Sequence, residues 1–319
     1  MGKDTYDQAK SFRPITLTSY VFKGIEKLVY WHLEETTLRR IPYNKNQHAF
    51  RPGHSTESAL SKIVNEIEKG TLRRGYTLAV FLDVAGAFDK LSFEAAKKAL
   101  KCKQIKKEIK TWYLQYLENQ TSIIELKNIS RKIKIKTGCP QGGILSVLLW
   151  NITFDTLLKK ITKGRVKCIG FADDGTLLIH GRDLKTMKNL MQKAINKVMD
   201  WANECNLKLS PNKTHAMLFT RKRKIQNVNI DLFIDGNKIE YVDTVKCLGI
   251  TLDKRLNWNA HLDEKIKQAK TYLHLMKSSI SRTWGPTPEN MLWIWTAVIR
   301  PRITYASYIP CGPIIVTPL

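Results

Sequence analysis

The run Thr77 to Val84, TLAVFLDV, constrains the fold more than any other stretch of the chain. It is short, apolar and rich in β-branched residues, the pattern of a buried strand. A carboxylate, Asp83, stands at its end, where a buried strand would carry a functional residue. A second acidic feature has a similar setting. Val166 to Phe171 and Thr176 to His180 read as strands joined through Ala172-Asp173-Asp174-Gly175, and Asp-Gly between apolar runs signals a hairpin. Asp-Asp-Gly also suits a plain hairpin turn, so this motif alone leaves both readings open.

Acids at strand ends stand out because the chain is so basic. It has 53 Lys+Arg against 28 Asp+Glu among 319 residues, a formal net charge of +25. Such a surplus points to a polyanionic partner, nucleic acid or an anionic membrane. No run approaches the roughly 18 apolar residues that span a bilayer. Met1 to Lys10 has no apolar signal core, and Tyr6 stands where a myristoylation motif needs Ser or Thr, so the membrane is discounted. The six cysteines are scattered, with no CxxC and no Cys/His cluster of zinc spacing. This fits a reducing, intracellular compartment, nucleus or cytoplasm. Unpaired carboxylates at apolar strand ends are costly through desolvation and mutual repulsion. Divalent cations would compensate them: Mg²⁺ takes a few carboxylate oxygens plus substrate phosphates, and two ions serve both the attacking and leaving oxygens of a phosphoryl transfer.

Elsewhere the chain reads as alternating helices and strands without a low-complexity linker or internal repeat. An amphipathic helix is expected from about Ser19 to Arg40, with Val21, Ile25, Leu28, Val29, His32 and Leu33 at helical spacing. Another starts at Ser55-Thr56-Glu57-Ser58 and covers Ala59 to Gly70. Helices at about Ser92 to Cys102 and Lys106 to Glu118 precede two strands, Thr121 to Lys127 and Arg131 to Lys136, paired across Asn128. In the second strand Lys132, Lys134 and Lys136 alternate with Ile133 and Ile135, which predicts one cationic face and one buried face. The cationic face suits a phosphate backbone or is simply solvated. The loop Thr137 to Gly143 leads into an apolar helix from about Leu145 to Ile161, and Leu184 to Asn206 forms a long helix. Its apolar stripe includes Met187 and Met191, read as core filling rather than ligands. A basic run, Arg221 to Lys224, serves equally well as a nuclear signal or a phosphate contact. Beyond it a β-rich stretch to Leu252 gives way to helices rich in Trp and Lys, and Ile309 to Leu319 reads as an unfolded or truncated tail.

The ordered strings Phe12-Arg13-Pro14-Ile15, Phe50-Arg51-Pro52-Gly53 with Ser55-Thr56, Phe81-Leu82-Asp83-Val84-Ala85-Gly86-Ala87-Phe88-Asp89, Gly138-Cys139-Pro140-Gln141-Gly142, Phe171-Ala172-Asp173-Asp174, Leu209-Ser210-Pro211-Asn212-Lys213-Thr214 and Cys247-Leu248-Gly249 follow one another along most of the chain. Together they resemble the reverse transcriptase of non-LTR, LINE-type retrotransposons of the jockey kind. The resemblance implies an α+β right-hand polymerase: fingers over residues 1–76, a ferredoxin-like palm over 77–220 with a fingers-like insertion at about 92–136, and the end of the palm, primer grip and thumb-like helices over 221–319. It implies RNA template, DNA primer and deoxynucleoside triphosphates as partners, and two Mg²⁺ ions, or Mn²⁺ in their place. Asp83, Asp173 and Asp174 fall on the family's catalytic carboxylates, with Asp83 and Asp173 the chief metal ligands. Phe88 matches the aromatic gate that clashes with a ribose 2′-hydroxyl. Gln141 matches a contact to the incoming nucleotide, Arg13 a grip on its triphosphate, and Lys3 a second grip. Arg51 lies in a family motif, with nucleotide binding and fold stabilisation both open to it. Lys213 matches the lysine that protonates the pyrophosphate leaving group, and Leu248 and Gly249 match the loop that holds the primer end. Phe171, Gly143 and Val147 depart from the family's usual Tyr, Ser and Pro. The endonuclease and RNase H that elements of this kind carry are expected to lie outside this chain. A nucleic-acid-binding relic of the same family, without catalysis, is the alternative.

Overall fold

The computed structural model describes residues 15–72, 75–126, 129–222, 230–281 and 284–311. Lys3, Arg13, Asn128 and the Arg223-Lys224 half of the basic run lie outside the described residues. Helix α1 (Tyr20–Leu33) continues through a π-helical turn at Glu34–Leu38, and α2 (Thr56–Leu72) precedes strand β1 (Tyr76–Ala85). Helices α3 (Ala87–Lys90), α4 (Phe93–Cys102) and α5 (Lys107–Glu118) and the hairpin β2 (Thr121–Leu126) and β3 (Ile129–Lys134) lead to α6 (Ile144–Ile161). The hairpin β4 (Lys167–Phe171) and β5 (Asp174–Gly181), α7 (Leu184–Glu204), β6 (Lys208–Leu209) and β7 (His215–Phe219) follow. Beyond them come β8 (Phe233–Ile234), β9 (Asn237–Lys238), β10 (Glu240–Tyr241), the hairpin β11 (Thr244–Cys247) and β12 (Ile250–Asp253), and helices α8 (Asn259–Ser278), α9 (Pro288–Ile294), α10 (Arg300–Thr304) and α11 (Tyr308–Cys311).

β1 is the centre of the molecule. It pairs antiparallel with β5 on one side and β7 on the other, in the sheet order β10-β7-β1-β5-β4, and β6 pairs with its end. Its side chains alternate between two cores. Leu78, Val80, Leu82 and Val84 join the cluster formed with α6 and α7, while Ala79 and Phe81 join α2 and the β11–β12 hairpin. Both faces are covered, which is why the run is continuously apolar rather than alternating. The succession β1-α6-β4-β5-α7-β7 in this order is the ferredoxin-like βαββαβ arrangement expected of a palm.

Local signals place several helix starts. Ser58 N–H donates to Ser55 Oγ and Ser55 N–H to Ser58 Oγ ahead of α2, and Ser92 Oγ accepts from Ala95 N–H at the start of α4. The stripe of α7 is buried as expected, Met187 and Met191 included.

Four expectations need correction. The stripe read on α1 largely faces solvent, with Val21 77%, Leu28 63% and Ile25 43% exposed; His32 is exposed as well. α1 docks instead by Phe22, Glu26, Val29 and Leu33, because buried Glu26 accepts hydrogen bonds from Ile144 and Leu145 N–H at the start of α6. β3 shows no buried face among its described side chains: Ile133 is exposed, as is Ile123 on its partner strand, and Ile135 just beyond it is only half-buried. The β4–β5 turn sits on Ala172-Asp173 rather than on Asp-Gly, since Asp174 and Gly175 already pair with Phe171 and Gly170. The Ile309 end is not all tail, for Tyr308–Cys311 forms a helical turn and Ile309 is buried. Among the described residues, no helix is long and apolar enough to cross a membrane.

Candidate active site

Strand register brings the three carboxylates together. Asp83 and Asp174 are direct cross-strand partners of β1 and β5, and Asp173 occupies the adjoining turn. The end of β1 is fastened from the other side, where Ser210 N–H donates to the Asp83 carbonyl at 3.0 Å. Pro211–Lys213 then forms a 3₁₀ turn that sets Lys213 Nζ 3.7 Å from Asp83 Oδ2. Burial first, then the charges of Asp173 and Asp83, push the Asp174 carboxyl up to about 6. This is the signature of clustered carboxylates without enough positive charge to balance them.

Hard oxygen donors in electrostatic conflict suit a divalent cation. Among the described residues no group of three His, Cys, Asp or Glu side chains forms a ready-made cage for one. Mg²⁺ does not require it, because it is held by one or two carboxylates completed by water and substrate phosphates. The donor set therefore fits.

The loop at residues 138–143 builds the neighbouring wall. Gly86, at φ +68°, starts the short helix α3 that carries Phe88. Cys139 N–H donates to the Phe88 carbonyl at 2.7 Å and Gly138 N–H to that of Leu91 at 2.8 Å. A Cβ on Gly138 would lie 2.6 Å from the carbonyl oxygens of Phe88 and Asp89, so only glycine allows this approach. Gln141 Nε2 donates to Asp89 Oδ1 at 2.6 Å, and its carbonyl accepts from Thr16 N–H, tying the segment before α1 to the same loop. The Phe88 ring lies 5.9 Å from that of Trp150, whose indole N–H donates to the Ala172 carbonyl at 2.8 Å. Trp150 thus links the Phe88 helix to the Asp173 turn. Sequence reading missed it, although its place in the first turns of α6, after the Gln141 loop, was a usable signal.

On the opposite flank Leu248 and Gly249 form the two-residue turn of the β11–β12 hairpin, both with positive φ, +46° and +85°. Tyr305 Oη donates to the Leu248 carbonyl at 2.9 Å and fixes the turn. Buried Cys247 reports the proximity of this hairpin to the carboxylates. Burial, then the charge of Asp174, push its thiol up to about 12 against a hydrogen bond with Thr176. Arg51 is placed differently: its Nη1 donates to the carbonyls of Asn44 and Gln47 at 2.9 and 2.7 Å, and its guanidinium lies over the Tyr43 ring. It holds the loop before α2. The structure therefore gathers Asp83, Asp173, Asp174, Lys213, Phe88, Gln141, Leu248 and Gly249 around one end of the sheet.

Residues 2–252 match the family described as Reverse transcriptase (RNA-dependent DNA polymerase). Relatives include the probable RNA-directed DNA polymerase from transposon BS of Drosophila melanogaster, 26% identical over 95% of this chain and 34% of that protein. Another is the RNA-directed DNA polymerase from mobile element jockey of Drosophila funebris, 25% identical over 96% of this chain and 33% of that protein. The chain spans about a third of the length of these curated relatives. Among solved structures, telomerase from Candida Tropicalis in complex with a TWJ fragment of telomeric RNA is similar at 15% identity and a TM-score of 0.47, over 92% of this chain and 48% of that one. The family match over residues 2–252 places the chain in the reverse transcriptase family, with that family's α+β right-hand polymerase fold, on the side of the non-LTR retrotransposons.

Proposed function

We propose that this chain is the RNA-directed DNA polymerase domain of a non-LTR retrotransposon, extending a DNA primer on an RNA template with deoxynucleoside triphosphates. One observation carries the reading: three carboxylates, Asp83, Asp173 and Asp174, meet at one end of the sheet with Lys213 beside Asp83. Two Mg²⁺ ions, held chiefly by Asp83 and Asp173 with Asp174 beside them, would supply Lewis-acid stabilisation of the attacking and leaving oxygens.

The chain's own residues do the rest. Phe88 limits the space beside the sugar, so deoxynucleotides are favoured by sterics. Gln141, whose amide both donates and accepts, contacts the incoming nucleotide, and Arg13 and Lys3 grip its triphosphate. Lys213, already poised at Asp83, gives a proton to the departing pyrophosphate. The Leu248-Gly249 turn holds the primer end against the carboxylates. Arg51 keeps the loop before α2 in place, whether or not it also meets the nucleotide. Residues 1–76, 77–220 and 221–319 serve as fingers, palm, and primer grip with thumb. Base pairing supplies sequence while the protein grips backbone and position.

The test is primer extension by the purified chain on a polyriboadenylate template with an oligodeoxythymidylate primer, Mg²⁺ and deoxythymidine triphosphate. Extension is expected in the wild type, weakly or not at all with the ribonucleotide, and reduced on the order of 10³-fold or more in an Asp173→Ala, Asp174→Ala variant. Equal, salt-sensitive template binding by both proteins with no extension by either would overturn the enzymatic reading in favour of a binding relic.

A further inference from the structure

At the far end of the sheet from the carboxylates lies a second basic feature. Lys167 begins β4 and Phe171 ends it beside the Asp173 turn, so the two ends are separated by about 13 Å at roughly 3.3 Å per residue. There α2, the loop at residues 44–46, the α6–β4 connection and His180 enclose a groove of about 920 Å³. Lys45, Lys62, Arg165 and Lys167 line it, with Glu66 as its one acid. That acid is already taken, since Glu66 pairs with Lys167 and Lys69. Lys62 Nζ donates to the Lys45 carbonyl at 2.7 Å, which fixes it on the wall. Lys45 and Arg165 are exposed, and no acidic side chain pairs with either among the described residues. The positive charge is felt inside the groove. Burial first and then the neighbouring Lys45, with Arg51 and Lys167 adding, lower the Lys62 pKa against the pull of Glu66.

We infer that this groove is a second RNA site, which holds single-stranded RNA by its sugar-phosphate backbone away from the point of synthesis. The chemistry of the lining favours this ligand. The cations are spaced along the walls, and Asn44, Asn46 and Thr162 offer neutral donors and acceptors suited to phosphate and 2′-hydroxyl oxygens. The aliphatic members, Val166 and Ile169, are buried, so a peptide would find no exposed apolar anchor. The inference rests on the reading of this chain as an RNA-handling polymerase, but its test does not require synthesis.

The probe is a fluorescein-labelled 30-nucleotide oligouridylate, with binding followed by anisotropy across a salt series. Lys45→Glu, Arg165→Glu is compared with Lys97→Glu, Lys98→Glu, an equal charge change on exposed positions of α4. Lys45→Gln, Arg165→Gln, with thermal unfolding measured on all variants, guards against misfolding. The groove variants are expected to lose at least tenfold in affinity at unchanged melting temperature. Their slope of log K against log salt should shrink by roughly 1.4, at about 0.7 for each lost single-strand contact. Extension of a short pre-annealed primer–template should persist. Unchanged affinity and slope in the groove variants, or an equal loss in the α4 control, would overturn the inference. Loss of extension by the wild type would instead strike the polymerase reading and leave the binding comparison intact.

Discussion

Asp155 and the Asp83/Asp173/Asp174 group are both acidic centres within the central fold, and they are built in opposite ways. Asp155, on α6, is 1% exposed; its Oδ1 accepts from Asn44 N–H at 2.6 Å, and its Oδ2 meets Lys103 Nζ at 3.0 Å and Lys159 Nζ at 3.1 Å. Lys103 is equally buried and donates onward to the carbonyls of Ile41 and Pro42, with its ammonium over the Tyr43 ring. Every charge in that centre has a partner fixed by the fold. At the end of the sheet, Lys213 stands 3.7 Å from Asp83, and burial followed by the charges of Asp173 and Asp83 raises the pKa of Asp174. The first arrangement fastens the residues after α1 to α4 and α6. The second leaves negative charge unbalanced, where a divalent cation can supply what is missing.

The contrast predicts separable effects. Asp155→Ala leaves the Lys103 ammonium buried without its carboxylate, which costs about 3–5 kcal/mol for a broken buried pair. Urea unfolding should show a loss of that size, and a double replacement, Lys103→Met with Asp155→Leu, should recover most of it. A loss below about 1 kcal/mol would mean that Asp155 is no better compensated than the acids at the end of the sheet. Lys213→Ala should do the reverse. Lys213 is 72% exposed, so its pairing with Asp83 is worth little to the fold. Stability should stay within about 0.5 kcal/mol of wild type while the rate of nucleotide addition falls about 100-fold, the scale of a lost general acid. Pre-steady-state extension on a saturating template checks the rate. A stability loss matching that of Asp155→Ala would place Lys213 with the structural cations.

Which of these features the sequence displays follows from how local their causes are. β1 was legible because both its faces are buried, and the three carboxylates because they sit at strand ends within recognisable strings. α7 was legible because its only apolar stripe is the one that docks. α1 has two apolar stripes, and periodicity does not reveal which one meets the protein. The docking stripe contains Glu26, whose burial depends on α6 amides 118 and 119 positions away. The Asp155 centre was hidden for the same reason, since its Asn44 partner is 111 positions distant. The lysine alternation on β3 gave the orientation of its side chains but not what lies against them. Asp-Gly marked the hairpin, yet the Trp150 bond to the Ala172 carbonyl, made across the fold, accompanies a turn on the residues just before it.

The smallest expected effect is the one that measures the imbalance itself. The Asp174 carboxyl titrates near 6 in the folded chain against 3.8 when unperturbed. Well below 3.8 both folded and unfolded forms hold the proton, and the site costs nothing. As pH rises towards 6 the unfolded carboxyl ionises first, so stability falls, and above 6 the loss is complete and constant. Asp174→Asn should therefore match wild type at about pH 3 and exceed it above pH 6 in metal-free buffer. Because Asp174 is exposed in part, solvent screening reduces the gain to about 1 kcal/mol, roughly 2 °C in melting temperature. Millimolar Mg²⁺ at pH 8 should raise the melting temperature of wild type towards that of the variant, since an added cation relieves the same repulsion that the amide removes. For Asp155→Asn the Mg²⁺ response should not appear, because the cation that Asp155 needs is Lys103, supplied by the chain.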